Sequence, residues 1–166
     1  NADRVRTQGV EVDFSVRPSQ RLSAYVNGAF TDAKYVKFVD APCPPELSGG
    51  TIVGAGQTPG APGVPGGLSP ANCDISGQRL PGVSKWSFSY GAEGNIPAKL
   101  FGQEGQLYLG FDGNYRSDFS SNPSPSIYTE IVGYALSNFR LGFRGENFNI
   151  YAWVRNAFDV EYFDQL

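Results

Sequence analysis

Residues 10–30, VEVDFSVRPSQRLSAYVNGAF, limit the folds open to this chain more than any other stretch. Val10, Val12, Phe14 and Val16 fall on one side of a period-two pattern, and Glu11, Asp13, Ser15 and Arg17 fall on the other. Such alternation belongs to a strand and admits no helical reading. Pro18 and Ser19 break the run. It resumes with Leu22, Ala24, Val26, Gly28 and Phe30 against Ser23, Tyr25, Asn27, Ala29 and Thr31, so the stretch predicts a β-hairpin with one apolar and one polar face. Two settings produce that pattern: a soluble sheet lying on a core, or a transmembrane barrel with lipid outside and water inside.

The remaining runs favour the barrel. Trp86, Phe88, Tyr90 and Ala92 alternate with Ser87, Ser89, Gly91 and Glu93. Leu107, Leu109, Phe111, Gly113 and Tyr115 alternate with Tyr108, Gly110, Asp112, Asn114 and Arg116, and Ala135, Ser137, Phe139, Leu141 and Phe143 with Leu136, Asn138, Arg140, Gly142 and Arg144. A sixth run over residues 148–156 leaves its facing open. The connections read as short at Pro18, long at 37–79, moderate at 97–105, long at 118–130 and short at 145–147. Outer-membrane barrels alternate short periplasmic turns with long extracellular loops. The polar faces also carry Glu11, Asp13, Arg17, Glu93, Asp112, Arg116, Arg140 and Arg144, which a packed core would not accept and a hydrated lumen would. The predicted fold class is therefore all-β: six antiparallel transmembrane strands in three hairpins, forming part of a larger barrel. Tyr35 and Phe38 are expected near the membrane interface, where aromatic rings are favoured.

Composition agrees. Aromatic residues make up 14% of the chain and charged residues 17%, against about 25% charged in an average soluble domain. A net charge of −3 gives no basic footprint for nucleic acid. No apolar run approaches the roughly 18–20 residues of a membrane helix, a finding without bearing on a barrel. With no signal peptide and no Met, the chain reads as a piece of a mature, exported protein. Residues 41–78 are so dense in Gly and Pro that neither helix nor regular sheet is expected there. They read as a long loop on one sheet or, alternatively, as a linker between two domains. Cys43 and Cys73 lie inside this segment and no His accompanies them as metal ligand. A disulfide, in an oxidising compartment, is the expected reading, ahead of two free thiols. A disulfide would restrict the unfolded chain by roughly 3–4 kcal/mol in the chain-entropy account.

Catalytic chemistry finds little to work with. The absence of His removes a Ser-His triad, a His-carboxylate base and the common zinc sites. Glu11 and Asp13 could be imagined as the carboxylate pair of a hydrolase, but two apart on one strand they read as lumen lining. GAEG, GQEG and GVPGG are turn and loop glycines without the strand-to-helix setting of a phosphate loop. No catalytic residue, metal site or cofactor is expected, and the chain is read as no enzyme.

Six segments then acquire a common meaning: GVEVDF at 9–14, AFTDAKY at 29–35, LPGVSKWSFSYG at 80–91, YRSD at 115–118, GYALSNFRLGFR at 133–144 and VRNAFDVEYF at 154–163. In this order they resemble the C-terminal barrel of TonB-dependent outer-membrane receptors, with the Asn-x-Phe-Asp-x-x-Tyr element at 156–162 the most specific of them. The resemblance implies a barrel of about 22 strands, an N-terminal plug, a TonB-contacting box and a last strand ending in an aromatic residue. Residues 1–166 are accordingly expected to be a C-terminal segment of the receptor barrel, with a long extracellular loop at about 37–79 and with plug and final strand absent. The implied location is the outer membrane of a Gram-negative bacterium. The implied partners are outer-membrane lipid, a nutrient ligand, the plug of the same receptor, and TonB through the missing N-terminal region. The implied function is energised import of a siderophore-iron complex, cobalamin or an oligosaccharide. A passive porin-like or adhesive barrel, and a secreted β-domain binding carbohydrate, stand as alternatives. In such receptors extracellular loops and the upper lumen wall hold the ligand, so Asp32, Tyr35, Asn114, Arg116 and Tyr128 are the expected substrate contacts. Arg116 would hold an anionic siderophore or, with Asn114, sugar hydroxyls; otherwise it would pair with a lumen carboxylate.

Overall fold

The computed structural model of the chain describes residues 2–47 and 72–165. Eight strands follow one another: β1 (Arg4–Ser19), β2 (Leu22–Lys37), β3 (Trp86–Leu100), β4 (Gln103–Arg116), β5 (Phe119–Ser120), β6 (Glu130–Ile131), β7 (Tyr134–Gly145) and β8 (Asn149–Val154). Six of them form one sheet in the order β1-β2-β3-β4-β7-β8, antiparallel at every junction, while β5 and β6 pair as a short hairpin of their own.

Register turns six separate alternations into one two-faced wall, because directly opposed residues in a sheet share a face. Phe14 lies opposite Val26, Val26 opposite Tyr90, and Ala92 opposite both Ala24 and Phe111. Phe111 meets Phe139, and Phe139 meets Val154. On the other face Asp13 opposes Asn27, Asn27 opposes Ser89, and Ser89 opposes Asn114. The facing of β8 follows from the same ladder: Ile150, Ala152 and Val154 join the apolar side and Tyr151 and Trp153 the polar one. Among the described residues nothing covers the apolar face. Val10 is 63% exposed, Phe14 59% and Leu109 57%, and most of the buried apolar residues gather in two small clusters under the loops. A sandwich would have put those side chains into a core.

Two prolines and one turn depart from expectation. β1 runs through Pro18 to Ser19, with a register shift between Val16 and Ser19, and the reversal comes at Gln20 and Arg21. Among the described residues β1 has a neighbour on one side only, so the missing N–H of Pro18 is tolerated. Likewise β3 continues through Pro97, which lies beyond the last β2 pair at Leu22 and Gly94 and so has one free side. The moderate connection expected at 97–105 is in fact a two-residue turn, Phe101 at φ 52° and Gly102 at φ 79°, the double left-handed geometry that matches strand twist.

The long β2–β3 loop is ordered at its stem. Ala41 and Cys73 exchange backbone hydrogen bonds of 3.1 and 2.9 Å, the Ile75 amide donates to the Phe38 carbonyl at 2.9 Å, and the Tyr35 amide donates to the Gln78 carbonyl at 2.9 Å. These bonds extend the β2–β3 hairpin upward over residues expected to be irregular. Tyr35, Phe38, Ala41 and Ile75 bury one another there, with Cys73 and Leu80 packed against them. Tyr35 and Phe38 thus pack inside the stem and not at a membrane interface.

Candidate functional site

Above the membrane-facing stripe the outward face closes with aromatic rings. Phe30 and Trp86 stand 4.7 Å apart, Trp86 and Phe88 6.0 Å, and Phe88 and Tyr115 6.1 Å. Beyond them the same face turns polar at Gln8, Arg6, Asp32 and Lys34. A step from aliphatic through aromatic to charged residues is what a strand meets on leaving lipid.

The inward face at this level holds a groove of ≈ 560 Å³. β1 contributes Glu11 and Asp13, β2 Asn27, β3 Ser87 and Ser89, and β4 Asn114 and Arg116. Tyr134 lies directly across from Arg116 in the β4–β7 ladder. The Arg116 guanidinium lies 4.3 Å from the centre of the Phe119 ring and donates from Nη2 to the Gly82 carbonyl at 2.9 Å. The Tyr134 hydroxyl lies against the same guanidinium, so part of its fork of five donors is already engaged.

The groove is completed from the far end of the chain. Asn156 and Asp159 take left-handed backbone conformations, φ 48° and 52°, which Asn and Asp tolerate better than most residues. The Asn156 amide group donates to the Val160 carbonyl while its oxygen accepts the Val160 amide, both at 3.0 Å. Its own backbone amide donates to Asn138 Oδ1 at 3.0 Å. This bracket folds the chain back over the top of β7. There Tyr162 stacks 4.6 Å from Tyr134, and the Tyr134 hydroxyl donates to Asp164 at 2.7 Å.

Lower on the same face, Glu93 sits between Arg140 (3.1 Å) and Arg144 (3.5 Å), and Asn138 donates to Asp112 at 2.8 Å. With both arginines half exposed, each pair contributes about 0–1 kcal/mol. Their effect is to line a wet wall with balanced charge. Two tyrosine side chains lean across this wall over glycines. A Cβ added at Gly91 would come 2.7 Å from the Tyr25 ring, and one at Gly142 would come 2.7 Å from both the Tyr108 ring and the Ile150 carbonyl.

Over residues 1–157 the chain matches the family described as TonB dependent receptor-like, beta-barrel. The chain belongs to that family. Searches among curated proteins and among solved structures found no match. TonB-dependent receptors are transporters of the Gram-negative outer membrane, not enzymes, and the open six-stranded sheet is a portion of such a receptor's barrel.

In this TonB-dependent receptor wall the five expected ligand residues separate. Asn114 and Arg116 share the groove. Asp32 lies on the outward face, ion-paired with Lys34 at 3.4 Å and Arg6 at 3.8 Å, while Tyr35 is 6% exposed in the loop stem against Phe38. Tyr128 stands exposed in the β4–β7 loop, outside the groove lining. Arg116 makes its contacts with Gly82, Phe119 and Tyr134, and no ion pair joins it to a carboxylate among the described residues. Tyr134, Tyr162 and Asp164 were not singled out from the sequence, although the 156–162 element that delivers two of them was. No group of three or more His, Cys, Asp or Glu among the described residues is placed to hold a metal.

The loops above the groove are tied together. Cys43 and Cys73 form a disulfide with Cα atoms 5.0 Å apart. Glu46 Oε1 accepts the Ser126 hydroxyl and the Ile127 amide, both at 2.8 Å. Its own backbone amide, followed by those two donors, holds the Glu46 carboxyl below the usual range. The Asp74 carboxyl is lowered in the same way by the Ser76 hydroxyl and amide.

Proposed function

We propose that the complete receptor binds a scarce nutrient in the upper lumen groove and imports it with energy supplied through TonB, and that this chain provides one wall of the groove and two of the loops above it. The observation that carries the reading is the groove lining itself. Asn27, Ser87, Ser89 and Asn114 offer amides and hydroxyls on a single face, beside the Arg116 guanidinium. Against that one cation stand Glu11, Asp13 and Asp164, a balance that repels an anionic ligand and suits a neutral, hydroxyl-rich one. Among siderophore-iron, cobalamin and oligosaccharide, the lining therefore favours an oligosaccharide.

The test uses the full-length receptor in cells. Binding and uptake of a panel of labelled oligosaccharides, cobalamin and ferric siderophores would be measured with and without collapse of the inner-membrane proton gradient. Collapse should abolish uptake and leave surface binding; uptake that persists would point to passive diffusion. Asn114→Ala and Arg116→Ala should each weaken binding about tenfold, as expected for lost ligand hydrogen bonds. Unchanged affinity at normal surface abundance would remove that residue from the site.

A further inference from the structure

Two surface loops remote in sequence meet at several points, and one group of these contacts surrounds a cysteine on the β2–β3 side. The Pro42 carbonyl accepts the Ser124 hydroxyl, and Glu46 accepts from Ser126 and Ile127. Residues 42–46 have little of their own to hold them in place, since their regular structure is the single 3-10 turn Pro45–Leu47. What fixes them is the Ala41 pairing with Cys73 and the disulfide that joins Cys43 to the same residue. The β4–β7 loop, by contrast, holds its own shape. The Thr129 amide donates to the Ser126 carbonyl at 3.1 Å, the Ser121 amide to the Thr129 carbonyl at 2.9 Å, and the Ser120 and Thr129 hydroxyls meet at 3.3 Å. The base of that loop is tied elsewhere, the Ser120 carbonyl accepting the Gly82 amide at 2.8 Å and Asp118 pairing with Arg79 at 3.0 Å, so it is the tip over residues 121–129 that can move if its contacts with 42–46 are lost.

We propose that the Cys43–Cys73 disulfide positions the tip of the cysteine-free β4–β7 loop through the Pro42 and Glu46 contacts, so that reduction of the disulfide releases residues 42–46 and that tip together. The reductant is a dithiol. It supplies two electrons and two protons, the S–S bond breaks to give two thiols, and the dithiol closes to its own disulfide. The device stands on loop geometry and is independent of which nutrient is carried.

Amide exchange resolved to single residues, on the full-length receptor in detergent, tests it. Reduction of the already folded protein should speed exchange of the Ile127 amide about tenfold or more, the range expected for losing a hydrogen bond to a carboxylate. The Thr129 amide, bonded within the loop, and the amides of β4 should not change. Glu46→Ala in the oxidised protein should give the same acceleration at Ile127, and reduction of that variant should add nothing. An Ile127 rate indifferent to reduction would overturn the proposal. So would a parallel rise at Thr129, which would mean that the loop melts, or effects of reduction and Glu46→Ala that multiply.

Discussion

Phe111 has Tyr90 at 5.7 Å and Phe139 at 5.1 Å on the outward face, midway between the turn and the aromatic rings above. Ser89 faces inward, three residues above the Ala92 that pairs with Phe111. An arginine at the first position would have to lie in hydrocarbon, and at the second in water. Phe111→Arg should therefore cost about 2–4 kcal/mol of unfolding free energy in lipid vesicles and Ser89→Arg close to nothing. Equal losses at the two positions in a denaturant titration would rule out the assigned facing. At this scale the period of two made nearly every facing legible, including that of Phe111. It would have served for Asp32 as well, which has the parity of Phe30 and lies on the outward face with it. Grouping Asp32 with Tyr35 as neighbours along the chain ignored that parity, since successive side chains point to opposite sides.

At the scale of elements, the long strands could be read from alternation but their ends could not. Pro18 read as a stop and the stretch at Pro97 as a connection, whereas each proline occupies a strand with a free side that only the assembled sheet reveals. The loop contacts were illegible for a different reason: Glu46 and Ser126 are eighty residues apart, and no local pattern announces their meeting. Their carboxylate contact has a pH consequence. The folded Glu46 pKa lies below its ordinary value, so the contact's contribution is complete above the ordinary glutamate pKa and is lost as pH falls through the lowered one. Arg79, Asp118 and Glu130 line the same depression; Arg79 and Asp118 pair with each other at 3.0 Å, and Glu130 adds a second carboxylate. The protection factor of the Ile127 amide relative to Thr129, corrected for intrinsic exchange, should thus fall on acidification. A ratio flat across that range would contradict the assignment of Glu46 as the acceptor.

For the molecule as a whole, one sheet separates two media, and among the described residues nothing covers its apolar side. A receptor carrying this wall should partition into the detergent phase of a Triton X-114 separation; recovery in the aqueous phase would instead fit a secreted carbohydrate-binding β-domain. The open edges of β1 and β8 are bare strand backbone among the described residues, and in isolation the chain should associate through them, which light scattering in detergent would register. The tyrosines resting on Gly91 and Gly142 bear on what the finished passage can admit. A ring that leans across the wall keeps close to it, where one standing on end would project its full length into the lumen, and Arg144 covers the Tyr108 ring at 4.6 Å. The wall therefore stays shallow at these two points, and a side chain at either glycine would meet backbone as well as ring, the Phe111 carbonyl at 2.9 Å from Gly91 and the Ile150 carbonyl at 2.7 Å from Gly142, straining the sheet while pushing the ring toward the passage.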